Sequence, residues 1–214
     1  SPVANPGKVV AAPVNYQAHL DEAIEDTATF SRAHVRKIQE TGLFLKATSS
    51  LVGPDDSVYV GLPDRRTDHE IELVAIIGKR AKNVLAKDAL SYVAGYSIGL
   101  DITIRGPEER SLRKSLDSYT VLGPWLVTAD EIENPHALAM TLDVNGKVRQ
   151  SANTKDLIMD VAELIEFASK FYTLEPGDLL YTGTPEGVGP IQPGDTINCE
   201  IERIGKISVN VEAS

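Results

Sequence analysis

The stretch Tyr96-Ser97-Ile98-Gly99-Leu100-Asp101-Ile102-Thr103-Ile104-Arg105 alternates between two kinds of side chain without a break. Tyr96, Ile98, Leu100, Ile102 and Ile104 fall on one side, and Ser97, Gly99, Asp101, Thr103 and Arg105 on the other. Strand side chains point to opposite faces in turn, so this period of two predicts a β-strand with one apolar face. Glu70-Ile71-Glu72-Leu73-Val74-Ala75-Ile76-Ile77 predicts a second strand. There Ile71, Leu73, Ala75 and Ile77 share a face, with Glu70 and Glu72 on the other. A short first strand is expected from Val9 to Val14. Asn145-Gly146, between the runs 138–144 and 147–151, is a two-residue hairpin signal, because both residues tolerate the positive φ that the turn requires.

Helical patterns are fewer. The best runs from Val161 to Phe171, where Val161, Leu164, Ile165, Ala168 and Phe171 form an apolar stripe and Asp160 and Glu163 have capping-box spacing. A short helix is expected from Lys87 to Val93. Residues 19–40 are polar and charged without a convincing core-facing stripe, which predicts a mobile, surface-lying segment. The 16 glycines and 12 prolines are spread along the chain and divide it into many short segments, with Pro176-Gly177-Asp178, Pro193-Gly194-Asp195 and Gly205 each preceding an apolar run. No internal repeat and no linker interrupts the pattern. The class predicted is α+β, mostly β, with few short helices.

Composition narrows the function. A chain of 214 residues buries roughly 70% of its unfolded surface. With 42% hydrophobic and 24% charged residues it is globular rather than disordered. The 21 basic and 31 acidic residues give a net charge of −10, which argues against a nucleic-acid surface and against docking to anionic lipid. The longest apolar runs fall far short of the ~20 residues of a membrane span. One cysteine, Cys199, allows neither an internal disulfide nor a thiolate metal cluster. A cytoplasmic protein is expected. The chain opens on Ser1-Pro2 with no charged-then-apolar signal pattern, which suggests processing or a longer product.

Several residues invite chemistry. Glu70 and Glu72 on one strand face repel unless solvent or a cation compensates. A solvated edge strand satisfies them; so does a cation site, if Asp101, set in an otherwise apolar strand on the same face as Arg105, lies alongside. Three carboxylates without cysteine suit Mg²⁺ or Mn²⁺. His19 and Glu22 stand one helical turn apart, either as an exposed chance pair or as a carboxylate orienting an imidazole. His34, His69 and His136 lie in polar or turn-like surroundings and read as surface residues. Lys114 follows a charged loop, 106–113, and by itself reads as a surface lysine. Thr182-Gly183-Thr184-Pro185 and Gly187-Val188-Gly189-Pro190 offer backbone N–H groups to an anion but lack the Lys-Ser/Thr ending of a nucleotide loop.

Taken in order, further short motifs join these. They are Val14-Asn15-Tyr16 ahead of His19 and Glu22, Phe44-Leu45-Lys46, His69-Glu70-Ile71-Glu72-Leu73, Ile77-Gly78-Lys79, and Gly95-Tyr96 leading to Asp101. Lys114-Ser115-x-Asp117, Leu122-Gly123-Pro124-Trp125, Val144-Asn145-Gly146, and Pro176-Gly177-Asp178 leading to Thr182–Pro185 complete the set. Over nearly the whole chain this series resembles the fumarylacetoacetate hydrolase family. The resemblance implies a mixed β-sandwich roll, usually a homodimer, with one Mg²⁺ or Mn²⁺ on Glu70, Glu72 and Asp101. It implies a His19–Glu22 catalytic dyad on residues 19–40 acting as a lid, Lys114 beside the metal, and Arg105, Lys46 and Thr184 as substrate contacts. Residues 1–214 would be a single catalytic domain, preceded in the native protein by an amino-terminal portion. Glu108 or Glu109 stands where relatives often carry Gln, and Ala47 where proline is common.

The activity implied is hydrolysis of a C–C bond in a β-diketo or acylpyruvate-type acid through a metal-stabilised enolate, in aromatic-compound or organic-acid catabolism. The alternative on the same site is a decarboxylase or isomerase of an unsaturated oxo-dicarboxylic acid or oxaloacetate. A reading from another class is a non-catalytic acidic β-protein that binds a metal or partner.

Overall fold

A computed structural model describes residues 1–26, 29, 38–62 and 64–214. The strands run in chain order β1 (Val9–Ala11), β2 (Phe44–Lys46), β3 (Leu51–Val52), β4 (Val58–Val60), β5 (Thr67–His69), β6 (Ile71–Ile77) and β7 (Val93–Asp101). They continue as β8 (Thr103–Ile104), β9 (Thr120–Thr128), β10 (Ala139–Val144), β11 (Lys147–Asn153), β12 (Leu179–Tyr181), β13 (Gly189–Pro190), β14 (Thr196–Ile201) and β15 (Gly205–Ala213). The helices are α1 (Gln17–Glu25), α2 (Ile38–Thr41), α3 (Ala86–Ala89), α4 (Arg110–Arg113) and α5 (Val161–Phe171).

The described strands form three sheets. A seven-stranded sheet has the order β2-β1-β12-β6-β7-β9-β3, a five-stranded one β11-β10-β14-β15-β4, and a three-stranded one β13-β5-β8. Parallel pairs β1–β12, β15–β4 and β3–β9 sit among antiparallel ones, so the roll is mixed. Among the described residues strand exceeds helix, 38% to 20%, and the mostly β expectation holds.

The alternation of β6 survives in the packing, but both of its faces are covered. Ile71, Leu73, Ala75 and Ile77 join the main core, together with Tyr96, Ile98, Leu100, Ile102 and Ile104. Val74 and Ile76 enter a smaller second core with Leu122, Leu179 and Tyr181. A central strand of a sheet covered on both sides has no solvated face, so Glu70 and Glu72 are not edge-strand carboxylates.

Helix α5 matches its expected bounds. Asp160 Oδ1 accepts from Glu163 N (2.9 Å) and Glu163 Oε2 accepts from Asp160 N (3.0 Å), a complete capping box worth about 1 kcal/mol. Phe171, placed by periodicity in its apolar stripe, is 65% exposed and instead meets Phe167 edge to face. The helix expected from Lys87 to Val93 is α3 followed by a 3₁₀ turn, Leu90–Tyr92. In the segment 19–40, α1 buries His19, Leu20 and Ala23, and Ile38 at the start of α2 is fully buried. The described parts are therefore two short helices that each contribute buried residues. Residues 27, 28 and 30–37, including His34, lie outside the described residues. Among the described residues, no helix is long and apolar enough to cross a membrane.

Candidate metal centre and dyad

Backbone pairing sets the position of the three carboxylates. β6 and β7 are antiparallel in the register Ile71↔Leu100 and Glu72↔Gly99, and Asp101 N donates to Glu70 O at 2.9 Å. Glu70 occupies the step between β5 and β6, and Asp101 ends β7 just before β8, so the chain changes sheets at both residues. The site lies at that seam. One carboxylate oxygen from each of Glu70, Glu72 and Asp101 lies within 4.8 Å of the others, and all three residues are buried.

Three cations surround two of these groups. Lys114 Nζ donates to Glu70 Oε2 (2.7 Å), Asp101 Oδ2 (2.6 Å) and Thr103 Oγ1 (2.7 Å). Arg105 bridges Glu70 Oε1 (3.0 Å) and the buried Asp68 (2.7 Å). Lys46 pairs with Asp101 Oδ1 and donates to Tyr119 O (2.8 Å). Burial alone would raise the Glu70 pKa, but Lys114, Arg105 and His19 outweigh it and hold it at about 2. Glu72 goes the other way, since burial and then the Asp101 charge push it well above the usual carboxylate range. Its Oε2 accepts from Gly183 N at 2.7 Å, while its buried Oε1 has no hydrogen-bond partner. A buried carboxylate oxygen with no donor, in an all-oxygen set, is what a hard divalent cation satisfies, so these residues fit Mg²⁺ or Mn²⁺.

The dyad forms on α1. His19 Nδ1 meets Glu22 Oε2 at 2.9 Å, and Glu22 Oε1 accepts from Gly187 N at 3.0 Å. Gly183 N and Gly187 N belong to one glycine-rich loop, which does present backbone donors, but the acceptors are the protein's own Glu72 and Glu22 carboxyl oxygens. Glycine is required at both turns. Gly183 has φ +100 and Gly187 φ +87, and a Cβ on Gly187 would lie 2.1 Å from Arg149 O. The loop is tied down further by Thr182, which donates twice to Leu73 O, and by Asn15 Nδ2, which donates to Thr182 O (2.8 Å).

The expected substrate contacts take different positions. The Lys46 side chain is fully buried behind Asp101, where burial lowers its pKa against the pull of Asp101. Arg105 lies at the site with its guanidinium on Asp68 and Glu70. Thr184 is buried and accepts from Gln150 Nε2 at 2.8 Å. Glu108 turns away and pairs with both terminal nitrogens of Arg65. His69 is fully buried, not a surface residue: β5 pairs it with Gly189 of β13, and its Nδ1 meets Gln150 Oε1 at 3.1 Å. Asp68, Thr103 and Gln150 were not apparent from sequence reasoning. Asp68 adjoins the carboxylate motif, a weak signal, and nothing in the polar run of β11 marks Gln150.

The family profile described as "Fumarylacetoacetate (FAA) hydrolase C-terminal" matches residues 8–212. The chain is 58% identical over 215 residues to maleylpyruvate hydrolase of Aquipseudomonas alcaligenes, covering 100% of this chain and 75% of that protein. It is 37% identical to oxaloacetate tautomerase Fahd2a, mitochondrial, of Rattus norvegicus, covering 97% and 67%. Among solved structures it is similar to maleylpyruvate hydrolase from Sphingobium sp. SYK-6 in complex with manganese (II) ion and pyruvate. That similarity has a TM-score of 0.85 and 41% identity, over 100% of this chain and 72% of the other.

Proposed function

Because the chain belongs to the fumarylacetoacetate hydrolase family, we propose that it is a divalent-metal-dependent hydrolase that cleaves a C–C bond in an acylpyruvate-type acid. Maleylpyruvate is the first substrate to test, given the 58% identical relative. The observation that carries this reading is the convergence of Glu70, Glu72 and Asp101 around an unpartnered Glu72 oxygen, with the His19–Glu22 pair in electrostatic reach of Glu70.

Glu70, Glu72 and Asp101 would hold Mg²⁺ or Mn²⁺. When bound, the cation supplies Lewis-acid polarisation of the substrate's oxo oxygens. Glu22 can only accept at Oε2, so it places a proton on His19 Nδ1 and leaves Nε2 as the base. His19 Nε2 takes a proton from water as the water oxygen bonds to the carbonyl carbon distal to the oxo acid. The C–C bond then breaks, its electron pair passes into the departing enolate, and that carbon takes up a proton to give the oxo acid. Lys114 Nζ offsets the negative charge that develops on the enolate oxygen. Arg105 and Thr184 would orient the substrate's anionic oxygens. Lys46, by its place behind Asp101, would act through that carboxylate.

In the same reading residues 1–214 act as one catalytic domain, and two copies pair as a homodimer in the cytoplasm. Light scattering tests the pairing. The activity is tested by turnover of maleylpyruvate with Mn²⁺ in ¹⁸O-labelled water. Pyruvate and a dicarboxylate carrying one ¹⁸O are expected, and loss of turnover on chelation. The 37% identical oxaloacetate tautomerase favours a second reading. Keto–enol interconversion of oxaloacetate without cleavage or label would establish it in place of hydrolysis, and CO₂ release would point to decarboxylation.

A further inference from the structure

Gln150 is 1% exposed although it comes from β11, where its immediate neighbours Arg149 and Ser151 are exposed. Its amide makes four hydrogen bonds. Oε1 meets Ile71 N (3.2 Å) and His69 Nδ1 (3.1 Å), while Nε2 donates to Thr184 Oγ1 (2.8 Å) and Pro185 O (2.9 Å). A backbone N–H only donates and a carbonyl only accepts, so Ile71 and Pro185 fix which end of the amide is oxygen. An amide NH₂ cannot accept, so Thr184 Oγ1 must accept from Gln150 and its own proton is left for another acceptor. Among the described residues, the hydrogen bond of that hydroxyl is the one it accepts from Gln150 Nε2, which leaves its proton for an acceptor of another molecule. The neighbouring Gly183 N–H is held by Glu72 Oε2, and Ile71 N sits between Glu70 and Glu72.

We propose that Gln150 is a positioning residue for the reaction: it compels the Thr184 hydroxyl to donate to a carboxylate oxygen of the substrate and ties that donor to the strand bearing the metal ligands. The proposal rests on the reading of Thr184 as a substrate contact and deepens it. It also explains why a polar side chain is buried here in place of an apolar one, since the amide offers an acceptor to Ile71 and a donor to Thr184 together. A glutamate of the same shape would accept from Thr184 and turn the hydroxyl away from substrate.

The test is a calorimetric titration of Mn²⁺ alone, then of pyruvate into the Mn²⁺-loaded protein, with melting curves to confirm folding. Thr184→Val, Gln150→Glu and Gln150→Met should each weaken pyruvate binding about tenfold or more while leaving Mn²⁺ affinity within about twofold, as expected for one hydrogen bond to a charged group. Thr184→Ser, which keeps the hydroxyl, should retain pyruvate binding. The double variant Gln150→Met/Thr184→Val should bind no more weakly than Thr184→Val alone, because both remove one interaction. Either folded Gln150 variant decides the matter. If Thr184→Val weakens pyruvate and the Gln150 variants do not, or if the two losses add, the positioning role is overturned while the reading of Thr184 stands. If Thr184→Val itself leaves pyruvate affinity unchanged, the substrate-contact reading fails and the proposal falls with it.

Discussion

Glu72 and Asp101 ride on β6 and β7, strands of seven and nine residues in which every position except Ala94 is buried. His19 and Glu22 ride on α1, a nine-residue helix with three buried residues and no side-chain cap. The carboxylates are placed by a hydrogen-bonded ladder that leaves their spacing little freedom. The dyad is placed by a small apolar contact and by the bond from Gly187 N to Glu22. The glycine-rich loop joins the two, since one of its N–H groups holds Glu72 and another holds Glu22. In the proposed mechanism, binding of the cation and delivery of the proton therefore depend on different parts of the fold and should be separable by substitution.

The largest effect should come from the ladder side. Chelation, or Asp101→Asn, should lower turnover on the order of a thousandfold or more, because the polarising cation is lost. Added Mn²⁺ should restore the chelated protein but not the variant. On the helix side, His19→Ala should lower kcat by about 10² to 10⁴-fold with Mn²⁺ affinity unchanged in calorimetry. A parallel loss of metal affinity would break the division between the two regions. Gly187→Ala tests the joint. It sets a Cβ against Arg149 O at a positive φ, so it should destabilise by about 1–3 kcal/mol in denaturant melts and lower kcat by releasing Glu22.

The pH dependence of the metal-free protein sharpens the electrostatic side. The Glu72 pKa is raised on folding, so its contribution is fully present below the ordinary carboxylate value and is lost as pH rises through the folded one. Glu70, held at about 2, contributes above the ordinary value and loses that contribution only as pH falls toward about 2. Glu72→Gln should therefore raise the metal-free Tm at neutral pH by a few degrees while abolishing Mn²⁺ binding. Equal melting of variant and parent would contradict the destabilising burial of the Glu72 charge beside Asp101. The smallest effect belongs far from both regions. Asp160→Ala should cost about 1 kcal/mol through the α5 cap and leave kcat/KM unchanged.

The sequence was most readable where one physical rule dominated. Period-two alternation placed Glu70, Glu72 and Asp101 on the right faces, and the Asp160–Glu163 spacing located α5. The same alternation could not reveal that β6 is covered on both sides, since burial of the second face depends on which strands pair with it. Helix α1 was obscured because its buried stripe includes a histidine, His19, beside only Leu20 and Ala23. His69 and Gln150 were hidden because their burial rests on each other across distant strands. That the loop's N–H groups meet Glu72 and Glu22 could not be read from the glycine pattern, and neither could the pairing of Lys46 with Asp101, because each bond joins segments far apart in the chain.

The central claim is that Glu70, Glu72 and Asp101 hold the divalent cation. Anomalous diffraction at the manganese edge from crystals grown with Mn²⁺ tests it most directly. A single strong peak is expected in coordination contact with one oxygen from each of the three carboxylates, Glu72 Oε1 among them. Absence of a peak there at saturating Mn²⁺, or a peak held by other residues, would contradict the account.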